Sequence, residues 1–168
     1  MEKNLQSEEA LKKFKKLVEE IRVCMFITNI ESENEEHTRP MSVVDVEDNS
    51  TLWFYTDIRS IKVEEVATER TVHLTFAHPG KESYLDVHGT STVITDRALI
   101  KEKWSPVVKA YFPKGTDDPN LALLKVTPQE TYYWDTEAGK MVQFLKMAVS
   151  AVTGNPKIAQ SAEGKLSI

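Results

Sequence analysis

The chain has 168 residues, of which 40% are hydrophobic, and this predicts a single domain with a sizeable core. Its net charge of −5 disfavours nucleic acid as a partner, because a nucleic-acid surface needs clustered positive charge. No apolar run approaches the ~20 residues of a membrane span, and no apolar segment follows the first residues as in a signal peptide, so we expect a cytoplasmic protein with no membrane partner.

The first part of the chain predicts one helix and several antiparallel strands. The helix is indicated by a stripe of apolar residues, Leu11, Phe14, Leu17, Val18 and Ile21, behind Ser7 as its cap. Strand patterns cover residues 23–30, expected to be buried on both faces, then 38–46 and 52–56, with an acidic loop at 31–36 and a tight turn at 48–50. Residues 23–56 are therefore predicted to form an antiparallel meander. The single cysteine, Cys24, lies in its first strand, which indicates a buried, unreactive thiol.

The stretch 52–62 is predicted to lead from a strand into a helix. Ser60 can cap a helix that includes Val63 and Val66. The backbone N–H groups of a first helical turn have no partner inside the helix and can hold an anion. Lys62 in that turn is unfavourable for a bare helix start but favourable beside an anion, so the junction predicts an anion-binding site.

A second cation can reach this junction. Arg39 opens the strand that is expected to form a hairpin with residues 51–56, and a turn near 47–50 would place Arg39 close to Thr56, Ser60 and Lys62. Two cations and two hydroxyls at a helix start match a phosphate monoester. The residue types are equally compatible with surface ion pairs that join Arg39 and Lys62 to Glu64, Glu65 or Asp45.

The second part of the chain predicts further strands with helices between and after them. The predicted strands are 72–77, 84–95, 121–126 and 131–135, and the predicted helices are 97–104 and 141–152. A bulge or a close backbone approach is expected at Gly89, a helix cap at Asp96, and a break between two strands at Pro128. The tail from Lys157 is polar, and we expect it to be mobile.

These elements predict a predominantly antiparallel α+β barrel of about seven short strands. There is no Gly-rich loop of the dinucleotide-binding or P-loop type. The four histidines, His37, His73, His78 and His88, lack the i, i+4 spacing of metal ligands, so we expect no metal site. No side chain indicates a catalytic proton-transfer role, and the catalytic residues stay unassigned.

Five groups of residues occur in an order that resembles a known family. They are Arg39-Pro40-Met41-Ser42; Trp53-Phe54-Tyr55-Thr56-Asp57 with Ser60-Ile61-Lys62; Tyr84-Leu85-Asp86-Val87-His88-Gly89; Trp104-Ser105-Pro106 with Tyr111-Phe112-Pro113-Lys114-Gly115 and Asp117-Asp118-Pro119; and Tyr133-Trp134-Asp135. Over residues 10–155 this series resembles the pyridoxamine 5'-phosphate oxidase-like flavoproteins, in particular their general stress protein branch.

The resemblance implies a split β-barrel homodimer with FMN, or alternatively FAD, at the subunit interface. It implies one FMN-binding domain over residues 1–155 and a polar tail at 156–168. The implied cofactor-binding residues are Arg39, Pro40, Met41, Ser42, Tyr55, Thr56, Ser60, Lys62, Trp104 and Phe112. Among these, Arg39, Thr56, Ser60 and Lys62 would bind the phosphate, the 40–42 backbone would follow the ribityl chain and ring, and Trp104 and Phe112 would line the interface.

Two departures from the oxidases proper modify the expected activity. Ile61 stands where the oxidases usually have a second basic residue, and the chain lacks their closing segment with Arg and His. We therefore expect redox chemistry on an unidentified small molecule rather than oxidation of pyridoxamine phosphate. The alternatives are a non-catalytic flavin-binding or stress-sensing module, and a split barrel that binds haem or a deazaflavin.

Overall fold

The computed structural model describes residues 5–31, 33, 35–136 and 162–167. Its elements, in chain order, are β1 (Leu5–Gln6), α1 (Ser7–Ile21), β2 (Val23–Thr28), β3 (His37–Ser42), β4 (Asp45–Val46), β5 (Leu52–Asp57), α2 (Ile61–Thr68), β6 (Thr71–His78), β7 (Ser83–Ile94), α3 (Arg97–Glu102), β8 (Leu121–Asp135) and β9 (Ala162–Ser167). Two short 3-10 helices, Pro106–Ala110 and Gly115–Asp117, lie between α3 and β8. Among these described residues, no helix is both long enough and apolar enough to cross a bilayer.

The strands form one curled sheet. Along it the order is β1, β9, β8, β7, β6, β2, β3, while β5 pairs with both β4 and β8. Every pair is antiparallel except β1 with β9. The predicted class, an antiparallel split barrel with flanking helices, is therefore confirmed.

The inside of the curled sheet is filled by strand residues and by one face of α1. Phe14 and Leu17 of that helix are 0% and 1% exposed, as the apolar stripe predicts. Phe26 of β2 meets Phe54 of β5 edge to face, with ring centroids 5.4 Å apart. Since no described hydrogen-bonded pairing joins β2 to β5, this aromatic contact helps to hold the two sides of the sheet together.

The prediction that the strand beginning at Val23 is buried on both faces is wrong. Cys24 is buried, but Val23 and Met25 are 48% and 41% exposed. The reason is that the curled sheet covers only one face of β2 within the chain, so alternate residues point outward. Burial raises the pKa of the Cys24 thiol to about 12, which agrees with an unreactive cysteine.

The predicted meander is confirmed only in part. β3 pairs with β2 along its whole length, with Arg39 opposite Phe26, and only β4 reaches β5. The chain reaches the β5 edge only at Val44, whose N–H donates to Trp53 O at 2.8 Å, because the N–H of the preceding Val43 still donates to Arg22 O. The sheet thus places Arg39 on a strand next to β2, rather than on a hairpin with β5.

The strands predicted on either side of Pro128 are one strand, the 15-residue β8. Pro128 lies opposite Gly89, where the register of β7 and β8 shifts. A bulge tolerates proline because the ladder hydrogen bond is already interrupted there. A Cβ on Gly89 would lie 2.4 Å from Thr127 O, so the expected close backbone approach at this glycine is confirmed.

The C-terminal part differs from the expected mobile tail. Residues 162–167 form β9, which pairs with β8 and β1, and Leu166 is 1% exposed. This segment therefore belongs to the sheet, because it supplies both backbone pairing and an apolar side chain to the core. The helix predicted at 141–152 lies outside the described residues.

Replacing Gly89 by alanine should destabilise the protein by about 2–3 kcal/mol, because the added methyl group meets backbone atoms that cannot move independently. Gly80→Ala is the matched control: its methyl would meet only the movable His78 ring, at 3.0 Å, and should cost less than about 1 kcal/mol. Chemical denaturation measures both. Equal stability of the two variants would contradict the close approach.

Candidate functional site

The predicted junction brings three of the expected phosphate-binding residues together. β5 ends in Thr56, which is 3% exposed, and Ser60 precedes α2 in an extended conformation. Thr56 Oγ1 lies 3.2 Å from Ser60 Oγ and accepts a hydrogen bond from Lys62 Nζ at 3.1 Å. The Ser60 side chain does not cap the helix. One ammonium and two hydroxyls therefore surround the start of α2.

The turn between β5 and α2 is held by Asp57. Its Oδ1 accepts from the backbone N–H of Arg59 at 2.8 Å, and both carboxylate oxygens accept from the Arg59 guanidinium. These hydrogen bonds lower the pKa of Asp57 to about 2. The charge of Arg59 is neutralised within the turn, so Lys62 is the cation that this junction presents.

Lys62 is poorly neutralised. Burial lowers its pKa first, and the nearby positive charge of Arg39 lowers it further, while Asp57 and Glu65 offset this in part. Within the described part of the chain, no carboxylate forms a salt bridge with Lys62. An anion placed beside its ammonium would supply the missing partner.

Among the residues that the structure describes, Arg39, unlike Lys62, forms a salt bridge with a buried carboxylate. Its Nη2 donates to Glu65 Oε2 at 2.9 Å, and its Nη1 donates to Thr28 Oγ1 at 2.8 Å. Thr28 in turn donates to Glu65 at 2.5 Å, and the His37 ring contacts the same carboxylate. The ion-pair alternative from the sequence thus applies to Arg39 with Glu65, but not to Lys62.

The carboxylate of Glu65 is 7% exposed and charged at neutral pH. Burial acts to raise its pKa, but the hydrogen bonds from Thr28, His37 and Arg39 outweigh burial, and the net shift is downward. Thr28 and His37 also belong to this network, and neither was predicted from the sequence. The sequence does hold one indication of the network: Glu65 lies on the apolar face of α2 between Val63 and Val66, and a buried carboxylate there needs hydrogen-bond partners.

An open cleft joins these groups. Its volume is ≈ 500 Å³, within the range of ~300–1,000 Å³ that is usual for small-molecule sites. It is lined by Glu36, His37, Thr38, Arg39, Pro40, Ser60, Ile61 and Lys62. Ile61 is 65% exposed at this position, so the cleft has apolar as well as cationic walls.

Some of the other predicted cofactor-binding residues lie at or near the cleft, and some lie away from it. Pro40 lines the cleft, Ser42 is exposed nearby on β3, and Met41 points into the core. Tyr55, Trp104 and Phe112 pack with a second apolar cluster around Ile100, away from the cleft lining. The Tyr55 hydroxyl donates to Ile100 O at 2.7 Å, and burial raises the Tyr55 pKa to about 12.

A second polar cluster lies on the outer face of the sheet. His73 of β6 is opposite His88 of β7, and Asp86 lies two residues before His88. The imidazole rings stack with centroids 4.1 Å apart, and both rings contact the Asp86 carboxylate. No i, i+4 spacing links these residues in the sequence, because their proximity depends on strand pairing.

Fold and sequence agree on the class of protein. Residues 9–157 match the family model described as pyridoxamine 5'-phosphate oxidase like, and the chain belongs to this family. Among curated relatives, it is 27% identical to General stress protein 26 of Bacillus subtilis over 97 residues, which cover 56% of this chain and 67% of that protein. It is 23% identical to Protein bli-3 of Neurospora crassa over 113 residues, covering 62% of this chain and 54% of bli-3, so it spans about half of that relative's length.

Solved structures show the same fold. A general stress protein 26 structure from Jannaschia sp. CCS1 matches with a TM-score of 0.76 and 26% identity, covering 94% of this chain and 98% of that one. The general stress FMN/FAD binding protein of Xanthomonas citri matches with a TM-score of 0.67 and 27% identity, covering 79% and 93% of the two chains.

Replacing Glu65 by glutamine should destabilise the protein by about 3 kcal/mol at neutral pH, because Arg39 loses its buried counter-charge. Since the pKa of Glu65 is lowered by folding, its stabilising effect is fully present above the ordinary value of 4.5 and is lost as the pH falls through the folded value. Denaturation at several pH values should show the two proteins converging as the pH falls below 4.5 and through the folded value. The exposed neighbour Glu64→Gln is the control; a constant difference between wild type and Glu65→Gln across this range would contradict the assignment.

Proposed function

We propose that this protein binds FMN at the cleft beside Lys62 and uses it for a redox reaction on a small planar molecule. The observation that carries the proposal is the poorly neutralised Lys62 ammonium, which lies with Thr56 and Ser60 at the start of α2. Family membership and the relative described as an FMN/FAD binding protein support a flavin as the ligand.

The site fits a phosphate monoester in charge and in hydrogen bonding. Such a group carries about −1.5 to −2 charges at neutral pH and offers three strong acceptor oxygens. Lys62 supplies one charge, the hydroxyls of Thr56 and Ser60 can donate, and the first-turn N–H groups of α2 add oriented dipoles. Arg39 adds long-range attraction while Glu65 holds its guanidinium in place.

The rest of the flavin would lie along β3. Pro40 lines the cleft and Ser42 is exposed further along the same strand, so the ribityl chain and ring can follow the 40–42 backbone outward. When bound, FMN supplies hydride or electron transfer. The role of the chain is to bind the phosphate, orient the ring and leave one ring face open to a substrate other than pyridoxamine phosphate.

We also propose a homodimer with the flavin at its interface. The outer face of the sheet next to β3 carries exposed apolar residues: Val23 and Met25 on β2, and Tyr84 and Trp134 on β7 and β8. Met25 is directly opposite Pro40, and Tyr84 is opposite Trp134. The apolar surface is therefore continuous with the cleft, and a second copy that covers it would also enclose the flavin ring.

Lys62→Met should weaken FMN binding by about 1.5–3 kcal/mol, because a charge-assisted phosphate contact is lost. Riboflavin has no phosphate, so its affinity should change little. Flavin fluorescence quenching measures both ligands, and Lys101→Met on exposed α3 is the matched control. Equal losses for FMN and riboflavin would place the phosphate elsewhere.

An absorption spectrum of the protein purified from cells tests the class of cofactor. Oxidised flavin gives two bands in the near-ultraviolet and blue, whereas haem gives a Soret band. Extraction of the bound flavin separates FMN from FAD. Reduction of the bound flavin by NADH or NADPH at a useful rate supports an oxidoreductase, and failure of both donors supports a flavin-binding module without turnover.

Met25→Glu should dissociate the dimer and weaken FMN binding together, because a charge on the apolar face cannot be buried without a partner. Light scattering after size exclusion measures the mass, and a flavin titration of the same samples measures affinity. Lys16→Glu, on the exposed face of α1, is the control. An unchanged mass and an unchanged FMN affinity in Met25→Glu would place the interface elsewhere.

A further inference from the structure

Three side chains that can bind a metal ion converge on the outer face of the sheet. Residues two apart on one strand point to the same face, and directly paired residues of neighbouring antiparallel strands do so as well. Asp86 and His88 satisfy the first condition on β7, and His73 satisfies the second because it is paired with His88. Strand geometry therefore places all three side chains side by side.

The donor atoms face one another. His73 Nε2 contacts Asp86 Oδ1, and His88 Nε2 lies 3.7 Å from Asp86 Oδ2. One donor atom from each residue lies within 4.8 Å of the other two. The two rings are nearly parallel, with 9° between their planes, so both imidazoles present the same edge to the carboxylate.

We propose that His73, Asp86 and His88 form a binding site for a divalent first-row transition metal ion such as Zn²⁺. Two imidazole nitrogens and one carboxylate oxygen are a donor set that these ions prefer. Tetrahedral zinc with bonds of ~2.0–2.1 Å separates its donors by ~3.3 Å, so small side-chain rotations bring the three donors to their coordination distances.

The cluster leaves room for a further ligand. The side chains of His73, Asp86 and His88 are 24%, 29% and 42% exposed, so solvent reaches the donors. Glu130 is opposite His88 on β8 and accepts hydrogen bonds from Tyr132 and Lys165 at Oε1. Among the described residues, the donor atoms that lie within 4.8 Å of one another come from His73, Asp86 and His88 and not from Glu130. A bound ion would therefore have three protein ligands and at least one open position, the arrangement in which a metal keeps water or an exchangeable ligand.

This site is separate from the flavin cleft. None of the three residues belongs to the cleft lining, and His73 is paired with Ile27 of β2, on the far side of that strand from Arg39. The site lies on the same outer face as Met25, which belongs to the proposed dimer interface. A second copy can therefore approach the metal site, so ion binding is measured on the full chain in the oligomeric state in which it is purified.

Titration with Co²⁺ tests the site. The full chain, purified without a polyhistidine tag and stripped with a chelator, should develop visible ligand-field bands that saturate at one Co²⁺ per chain and disappear when Zn²⁺ is added. His73→Gln, Asp86→Asn and His88→Gln should each weaken Co²⁺ binding at least about tenfold, since loss of even an outer-shell partner costs ~10–100-fold. His78→Gln, at the end of β6, should leave it unchanged.

A second measurement works without substitutions at the site. The chain has four histidines. Addition of Zn²⁺ should shift the imidazole proton resonances of His73 and His88 and leave that of His78 in place. The variant His78→Gln assigns the His78 resonance. Absence of Co²⁺ bands, unchanged titrations in folded Asp86→Asn and His88→Gln, or shifts confined to His37 and His78 would each overturn the proposal.

Discussion

The buried carboxylate of Glu65 is the constraint on which the cation site depends. A nearly inaccessible negative charge is tolerated only when it is paired and hydrogen-bonded, and Glu65 obtains this from Thr28 on β2 and from His37 and Arg39 on β3. These contacts join α2 to two neighbouring strands. The start of α2 is consequently fixed relative to β3, and the cleft between them has a defined shape.

Because of this network, the two cations have different partners. Arg39 is paired with Glu65 and mainly shapes the wall and the field of the cleft, whereas the hydrogen bond that Lys62 makes among the described residues goes to the hydroxyl of Thr56. Ile61, the neighbour of Lys62 in the chain, also lines the cleft. An apolar side chain at that position avoids further repulsion beside a lysine whose pKa is already lowered by burial and by Arg39.

Local features of the structure were predictable from the sequence, and long-range ones were not. The β5–α2 junction, the Asp96 cap and the close approach at Gly89 depend on neighbouring residues, which is why residue patterns identified them. The split of the predicted strand 38–46 into β3, which pairs with β2, and β4, which pairs with β5, depends on core packing across the sheet, and no local pattern encodes it. Pro128 predicted a break because the compensating bulge involves a residue almost forty positions earlier. The cluster of His73 with its neighbours likewise required the register of two strands.

The long strand β8 has a consequence for the order of folding. It pairs with β5, β7 and β9, and it begins more than sixty residues after β5 does. One edge of β5, the strand that delivers Thr56, therefore stays without its partner during synthesis until residues 121–126 have emerged from the ribosome. Such non-local pairing requires closure of a long loop before it contributes stability, which favours slow, cooperative folding. The cleft at the start of α2 can thus acquire its final shape only late in biosynthesis, when most of the chain is already available.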